Sequence, residues 1–186
     1  MAAGDRDRWN RKWASAGVGT THGSRLAELL APWLPPSGTL LEIAGGAGSD
    51  SIEFARRGLQ VTVADISDIA LAQARELAGT EGLELDTLEI DFEEQPPPDG
   101  PWQVITAANY LQRDLFPAMI QRLAPGGLLG VVIATTTNLE RHERPGAPFL
   151  LEPGELPGLV DGTTILHHSE EWRGNGRHEA HLVVRA

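Results

Sequence analysis

From residue 24 to residue 134 short apolar runs alternate with stretches of helical period, a pattern that admits few folds beyond a parallel sheet whose strands are joined by helices across its faces. Ser24 is placed to cap a helix with Leu26, Leu29, Leu30, Trp33 and Leu34 on one stripe, and Pro35-Pro36 stops it. Thr39 to Ala44 reads as a buried strand, and the turn Gly45-Gly46-Ala47-Gly48 opens a second helix carrying Ile52, Phe54 and Ala55 toward Gly58. A strand over Gln60 to Ala64, a helix over Asp68 to Ala78 and a strand over Leu85 to Ile90 follow, and the proline-rich run Gln95 to Pro101 is a loop. Trp102 to Ala107 is a fourth strand, Leu111 to Leu123 a helix, and Pro125-Gly126-Gly127 a turn into a fifth strand, Leu128 to Ala134. The class is α/β.

Beyond residue 135 the rhythm changes. Thr135 to Glu155 is polar and broken by Pro145, Pro148 and Pro153, whereas Thr163 to His168 and Ala180 to Val184 read as two closing strands. A chain of 186 residues fits one domain, with an N-terminal lid segment (1–23), a core (24–134) and a C-terminal loop with its closing strands (135–186). Fifteen Lys and Arg against 26 Asp and Glu give a net charge of −11, which opposes nucleic acid and anionic lipid as partners. The absence of Cys removes disulfide scaffolds, Cys-based zinc sites and thiol nucleophiles. MAAGDRDRWNRKW lacks the apolar core of a signal peptide, and the longest apolar stretch is only Leu128 to Ala134, so a soluble cytoplasmic protein is expected.

The chemistry points to the glycine-rich turn. Such a turn at the end of a strand brings bare backbone amides close to a ligand and aims a helix N-terminus at it. The same glycines also occur wherever a helix packs tightly on a sheet. A dinucleotide fingerprint wants a third glycine where Gly46-Ala47-Gly48-Ser49-Asp50-Ser51 has serine, which counts against nicotinamide binding. Two acids add information. Glu42 lies inside the strand before the turn, where a buried carboxylate needs a cationic ligand group or the turn's own amides as partners. Asp65 ends the next strand, where its carboxylate can accept both hydroxyls of a ribose.

LLEIAGGAGSDSIEFARRG, with its acidic residue before a Gly-x-Gly-type turn, resembles the first motif of the class I S-adenosylmethionine-dependent methyltransferases. The resemblance continues in order through VTVADIS, the Ile90-Asp91-Phe92 step and Pro125-Gly126-Gly127. Within that family RWNRKW, ANYLQRDLFPAMIQRLAPGGLL and APFLLEPGEL are most similar to the small tellurite-resistance-type methyltransferases. The resemblance implies a Rossmann-like, doubly wound, mostly parallel seven-stranded sheet with an antiparallel C-terminal strand, and S-adenosylmethionine as cofactor. It implies that Glu42 anchors the turn and approaches the methionine ammonium, that Ala44, Gly45, Gly46 and Gly48 line the cofactor with backbone, and that Asp65 binds the ribose. Ile66 and Ser67 would border the adenosine, Asp91 would take the adenine amino group, and the Phe92 amide would face a ring nitrogen. Ala107, Ala108 and Asn109 would touch the methionine part of the cofactor, and Trp13, four residues from Trp9, would fold over it as a lid.

Each position has a plainer alternative. An Asp after a strand is often a helix cap, paired tryptophans often simply dock, and Tyr110 either orients the nucleophile or packs a helix start. Arg113 is the candidate for an anionic acceptor because its guanidinium offers a fixed fork to oxyanions, and His22 is the candidate base should the acceptor need one. Neighbouring His167 and His168 face opposite sides of a strand, so no metal site is expected. The expected reaction is in-line methyl transfer to a small molecule, a thiol or a chalcogen oxyanion, by a monomer or homodimer. Competing readings are a nucleoside-binding protein without transferase activity and a nicotinamide oxidoreductase.

Overall fold

The computed structural model describes residues 2–17 and 25–186, so Ser24 and His22 lie outside the described residues. Seven strands form one sheet in the order β3-β2-β1-β4-β5-β7-β6: β1 (Gly38–Ile43), β2 (Leu59–Asp65), β3 (Asp86–Glu89), β4 (Trp102–Ala108), β5 (Leu123–Ala134), β6 (Thr164–Trp172) and β7 (His178–Arg185). The first five pair in parallel, while β7 runs antiparallel to both β5 and β6. This is the doubly wound arrangement expected from the sequence.

Side-chain alternation along the strands builds two cores. On one face α2 (Arg25–Leu30), α3 (Ser49–Arg56) and α4 (Asp68–Thr80) bury Leu26, Leu30, Phe54 and Leu71 against Leu40, Val63, Val104, Val132 and Val183. On the other, α5 (Leu115–Gln121) and the chain after β5 bury Phe116, Met119, Leu151 and Leu156 against Leu41, Ile43, Ile105, Leu129, Val131 and Leu182. The N-terminal helix α1 (Ala2–Ala16) lies outside both cores and rests on α4. A β-carbon on Gly130 of β5 would come within 2.7 Å of the Leu30 side chain, so α2 sits this close only because that strand position has no side chain.

Several boundaries differ from expectation, each for a local reason. The helix expected over Leu111 to Leu123 is confined to Leu115–Gln121, because Pro117, which has no N–H, is tolerated only in a first turn. The strand expected from Leu128 begins at Leu123 and absorbs Pro125-Gly126-Gly127, with a register shift against β4. The closing hairpin is longer than expected, its two strands pairing out to Trp172 and His178. The polar stretch after Thr135 is not bare loop: it forms 3₁₀ turns at Thr136–Glu140 and Ala147–Phe149, and Thr135 bridges to Leu151.

Candidate active site

The ends of β1, β2 and β4 and the step after β3 open on one edge of the sheet, the edge where open α/β sheets take ligands. The turn after β1 is held there by Asp65. Its Oδ2 accepts the Gly46 amide at 2.8 Å and its Oδ1 accepts the Ser67 amide at 2.9 Å, which leaves each oxygen a lone pair toward the cleft. Burial pushes the Asp65 carboxyl up, against the pull of the Ser67, Gly46 and Ile66 amides and of Lys12. A β-carbon on Gly45 would meet Val63 at 2.7 Å, and Gly48, at φ +72°, would meet Ala74 at 2.9 Å, so these positions admit only glycine.

Glu42 is buried on β1, where its Oε2 accepts the Ser51 hydroxyl of α3. Burial, reinforced by the charges of Asp50 and Asp65 and opposed by the bonds from Ser51, pushes it up to about 8. A carboxyl in that state lacks a cation. Beside it on β4, in register with Glu42, the Thr106 hydroxyl is buried without a partner.

Two non-glycine residues at adjacent strand ends hold left-handed backbone, Ala44 at φ 51° and Asn109 at φ 56°. Such conformations cost energy and gather at functional sites. Asp91 is buried after β3, its Oδ1 accepting the Glu93 amide at 2.9 Å while its Oδ2 has no partner. It lines a cavity of about 350 Å³ with Ile66, Ile90 and Arg6. Phe92 is buried beside it, its ring 6.1 Å from that of Tyr110, and its carbonyl accepts the Gln112 amide at 2.9 Å. Ala107 is buried in one core and Ala108 is half-buried against the other where β4 leaves the sheet.

The helix α1 covers this edge. The position of a β-carbon on Gly46, whose φ is +56°, lies 2.5 Å from the Trp13 ring, so the indole lies directly on the turn. Asn10 bridges α1 to α4, its Oδ1 accepting the Ser67 hydroxyl at 2.6 Å and its amide donating to Asp68 at 2.7 Å, and the Gln73 amide donates to the Trp13 carbonyl at 3.0 Å. Ser67 is thus spent on capping α4, through the Ala70 amide, and on docking α1.

Arg113 does not join this group. Its fork is taken by Glu155, with Nη2 2.9 Å from Oε2, and by the Leu150 carbonyl at 3.2 Å, so it ties the segment before α5 to the tail. Tyr110 donates to Gln112 at 2.6 Å, and burial followed by the charges of Glu93 and Asp91 pushes its hydroxyl well above the ordinary phenol range. It is a donor in this setting and not a base. Two cations missed in the sequence stand at the mouth instead. Arg177, in the β6–β7 turn, donates to Asn109 Oδ1 at 3.2 Å. Lys12 of α1 rests over Trp9, 4.2 Å from the ring centre, and is held below its ordinary value by loss of water and then by Arg177. Neither makes an ion pair among the described residues. No period or motif marks Arg177, because the hairpin brings it to Asn109 across 68 residues.

Residues 40–127 match the model of a methyltransferase domain. No curated protein matches the sequence. Among solved structures the chain is similar to TehB from Haemophilus influenzae, at TM-score 0.74 and 18% identity over 95% of this chain and 66% of that one. It is similar to a TehB-like SAM-dependent methyltransferase from Corynebacterium glutamicum, at TM-score 0.67 and 15% identity over 98% and 96% of the two chains. The [4+2]-cyclase SpnF shares the fold at TM-score 0.76 and 16% identity, over 100% of this chain and 96% of that one. With the domain match across its core and this fold along its length, the chain is similar to the S-adenosylmethionine-dependent methyltransferases.

Proposed function

We propose that this protein transfers a methyl group from S-adenosylmethionine to a small anionic acceptor, a chalcogen oxyanion or a thiolate, that enters between Lys12 and Arg177. The observation that carries the reading is the pairing of two cations without ionic partners at the mouth of a cleft whose other walls hold Glu42, Asp65 and Asp91.

The residues present fit the cofactor. Glu42, raised by burial, faces a ligand ammonium, and Asp65 keeps lone pairs for two ribose hydroxyls. The orphan Oδ2 of Asp91 takes an adenine amino group, with Ile66 against the ring. Bound S-adenosylmethionine supplies an electrophilic methyl on a sulfonium. The chain's own residues then align and exclude: Trp13 shuts water from the turn, and Lys12 and Arg177 hold the acceptor's charge. An acceptor that is already an anion needs no base, in keeping with a Tyr110 hydroxyl that only donates. The segment 1–23 acts in this reading as the lid over the core 24–134, and 135–186 supplies the acceptor side.

Calorimetric titration with S-adenosylmethionine, S-adenosylhomocysteine and NAD, followed by transfer of labelled methyl to thiols and chalcogen oxyanions, tests the proposal. Binding of both adenosyl compounds but not NAD is expected, with transfer reduced about tenfold or more in Arg177→Gln. Adenosyl binding with no transfer to any anionic acceptor would overturn the reading.

A further inference from the structure

On the face of the sheet that carries α2, a recess of about 400 Å³ opens between that helix and the β6–β7 turn. Arg25 and Glu28 line it from α2, His167 from β6, Arg173 and Asn175 from the turn, and His181 from β7. It shares none of these residues with the cleft described above. We propose that this recess is a second ligand site, one that binds a phosphate-sized oxyanion through Arg173 and His167.

The hydrogen bonds leave two donors unspent. Arg173 gives Nη1 to Glu171 at 2.6 Å and Nη2 to the Ser169 hydroxyl at 2.5 Å, whereas its Nε is buried without a partner. A buried guanidinium N–H with no acceptor is costly, and an oxyanion in the recess provides one. Ser169 also lies 3.1 Å from His167 Nε2. Ser169 thus joins Arg173 to His167, and in the tautomer whose Nε2 accepts the Ser169 proton the ring N–H is carried on Nδ1.

Of the acidic groups nearby, Glu171 is paired with Arg173 and Glu179 with Arg25. Glu179 is fully buried, but Arg25 and Asn175 donate to its Oε1 and the His181 ring lies 3.1 Å from its Oε2. Glu28 is exposed at the rim, free to turn to water. His167 therefore faces His168, Ser169 and Glu171 on its own strand, Arg173 from the turn, His181 and Glu179 from β7, and Arg25 and Glu28 from α2. Burial, then His181, Arg173 and His168, hold it below its ordinary value, with Glu171 alone opposing. Burial and the positive groups beside it disfavour the protonated ring, and an anion in the recess favours it. Anion binding then takes up a proton at His167, so affinity rises as pH falls.

Inorganic phosphate is the probe, added to the whole protein with S-adenosylhomocysteine in saturation so that the main cleft is not the one being read. Calorimetry and histidine NMR should show saturable binding, tighter at about pH 6 than at about pH 8, with the His167 titration moved upward by phosphate. Arg173→Gln should weaken it about tenfold or more, His167→Gln should remove the pH dependence, and Arg177→Gln should leave both intact. His167→Gln, at the half-buried edge of the sheet, keeps the test alive should Arg173→Gln fold poorly. Absence of saturable binding at millimolar phosphate, or binding lost in Arg177→Gln and kept in Arg173→Gln, would overturn the proposal. Neither result depends on methyl transfer, because phosphate binding is read directly.

Discussion

Glu42 shows how much a single side chain states about its ligand. A carboxyl raised to about 8 in the folded protein, from an ordinary value of 4.5, holds a proton that the unfolded chain has already lost. Its folded value is the higher one, so its contribution to stability is complete below the unfolded value and is lost as pH rises toward 8. The melting temperature of the ligand-free protein should therefore fall between about pH 5 and about pH 8 more steeply than that of Glu42→Gln. A cationic ligand reverses the preference, so binding of S-adenosylmethionine near pH 7 should release a proton, seen as a dependence of the calorimetric heat on the buffer's ionisation enthalpy. Glu42→Gln should abolish that release. Thr106 and Ser51 complete this corner, and the sequence held only a faint sign of them: a hydroxyl inside an apolar strand and another in the first turn of the helix.

At the scale of elements, the strands and the turn were legible because each carries its own local signal. The glycines of the turn and the apolar runs of β1 and β2 act within a few residues, and the structure keeps these elements within a residue or two of where the sequence put them. Contacts that close over long separations were not legible. Arg113 met Glu155 and Arg177 met Asn109 only because the tail folds back over the sheet, which no spacing announces. The same limit hid Gly130. In sequence it is one glycine in an apolar strand, but in the fold its missing side chain is the seat of Leu30. Gly130→Val should lower stability by about 1–3 kcal/mol in chemical denaturation, with the loss concentrated in the docking of α2.

Across the whole molecule one buried carboxylate links parts distant in sequence. Burial alone would raise Glu179, but hydrogen bonds from His181 and Arg25 bring it down to about 2, so its stabilisation holds above the unfolded value and is lost only as pH falls toward 2. Arg25 is the first residue of α2 and Glu179 stands at the start of β7, 154 positions later, so the pair fastens the C-terminal hairpin to the front of the core. Arg25→Ala should cost about 1–3 kcal/mol near neutral pH, a deficit that should shrink as Glu179 protonates in acid, read as converging melting curves.

The hairpin that carries Arg177 also finishes the sheet. Its strand β7 pairs along the outer side of β5, whose residues from Leu128 to Ala134 are buried and uncharged. If the hairpin lets go, that run becomes a naked, flat template with every backbone group on one side open to another copy. Such an edge favours stacking into cross-β fibre, so the hairpin that finishes the sheet also stands guard against aggregation.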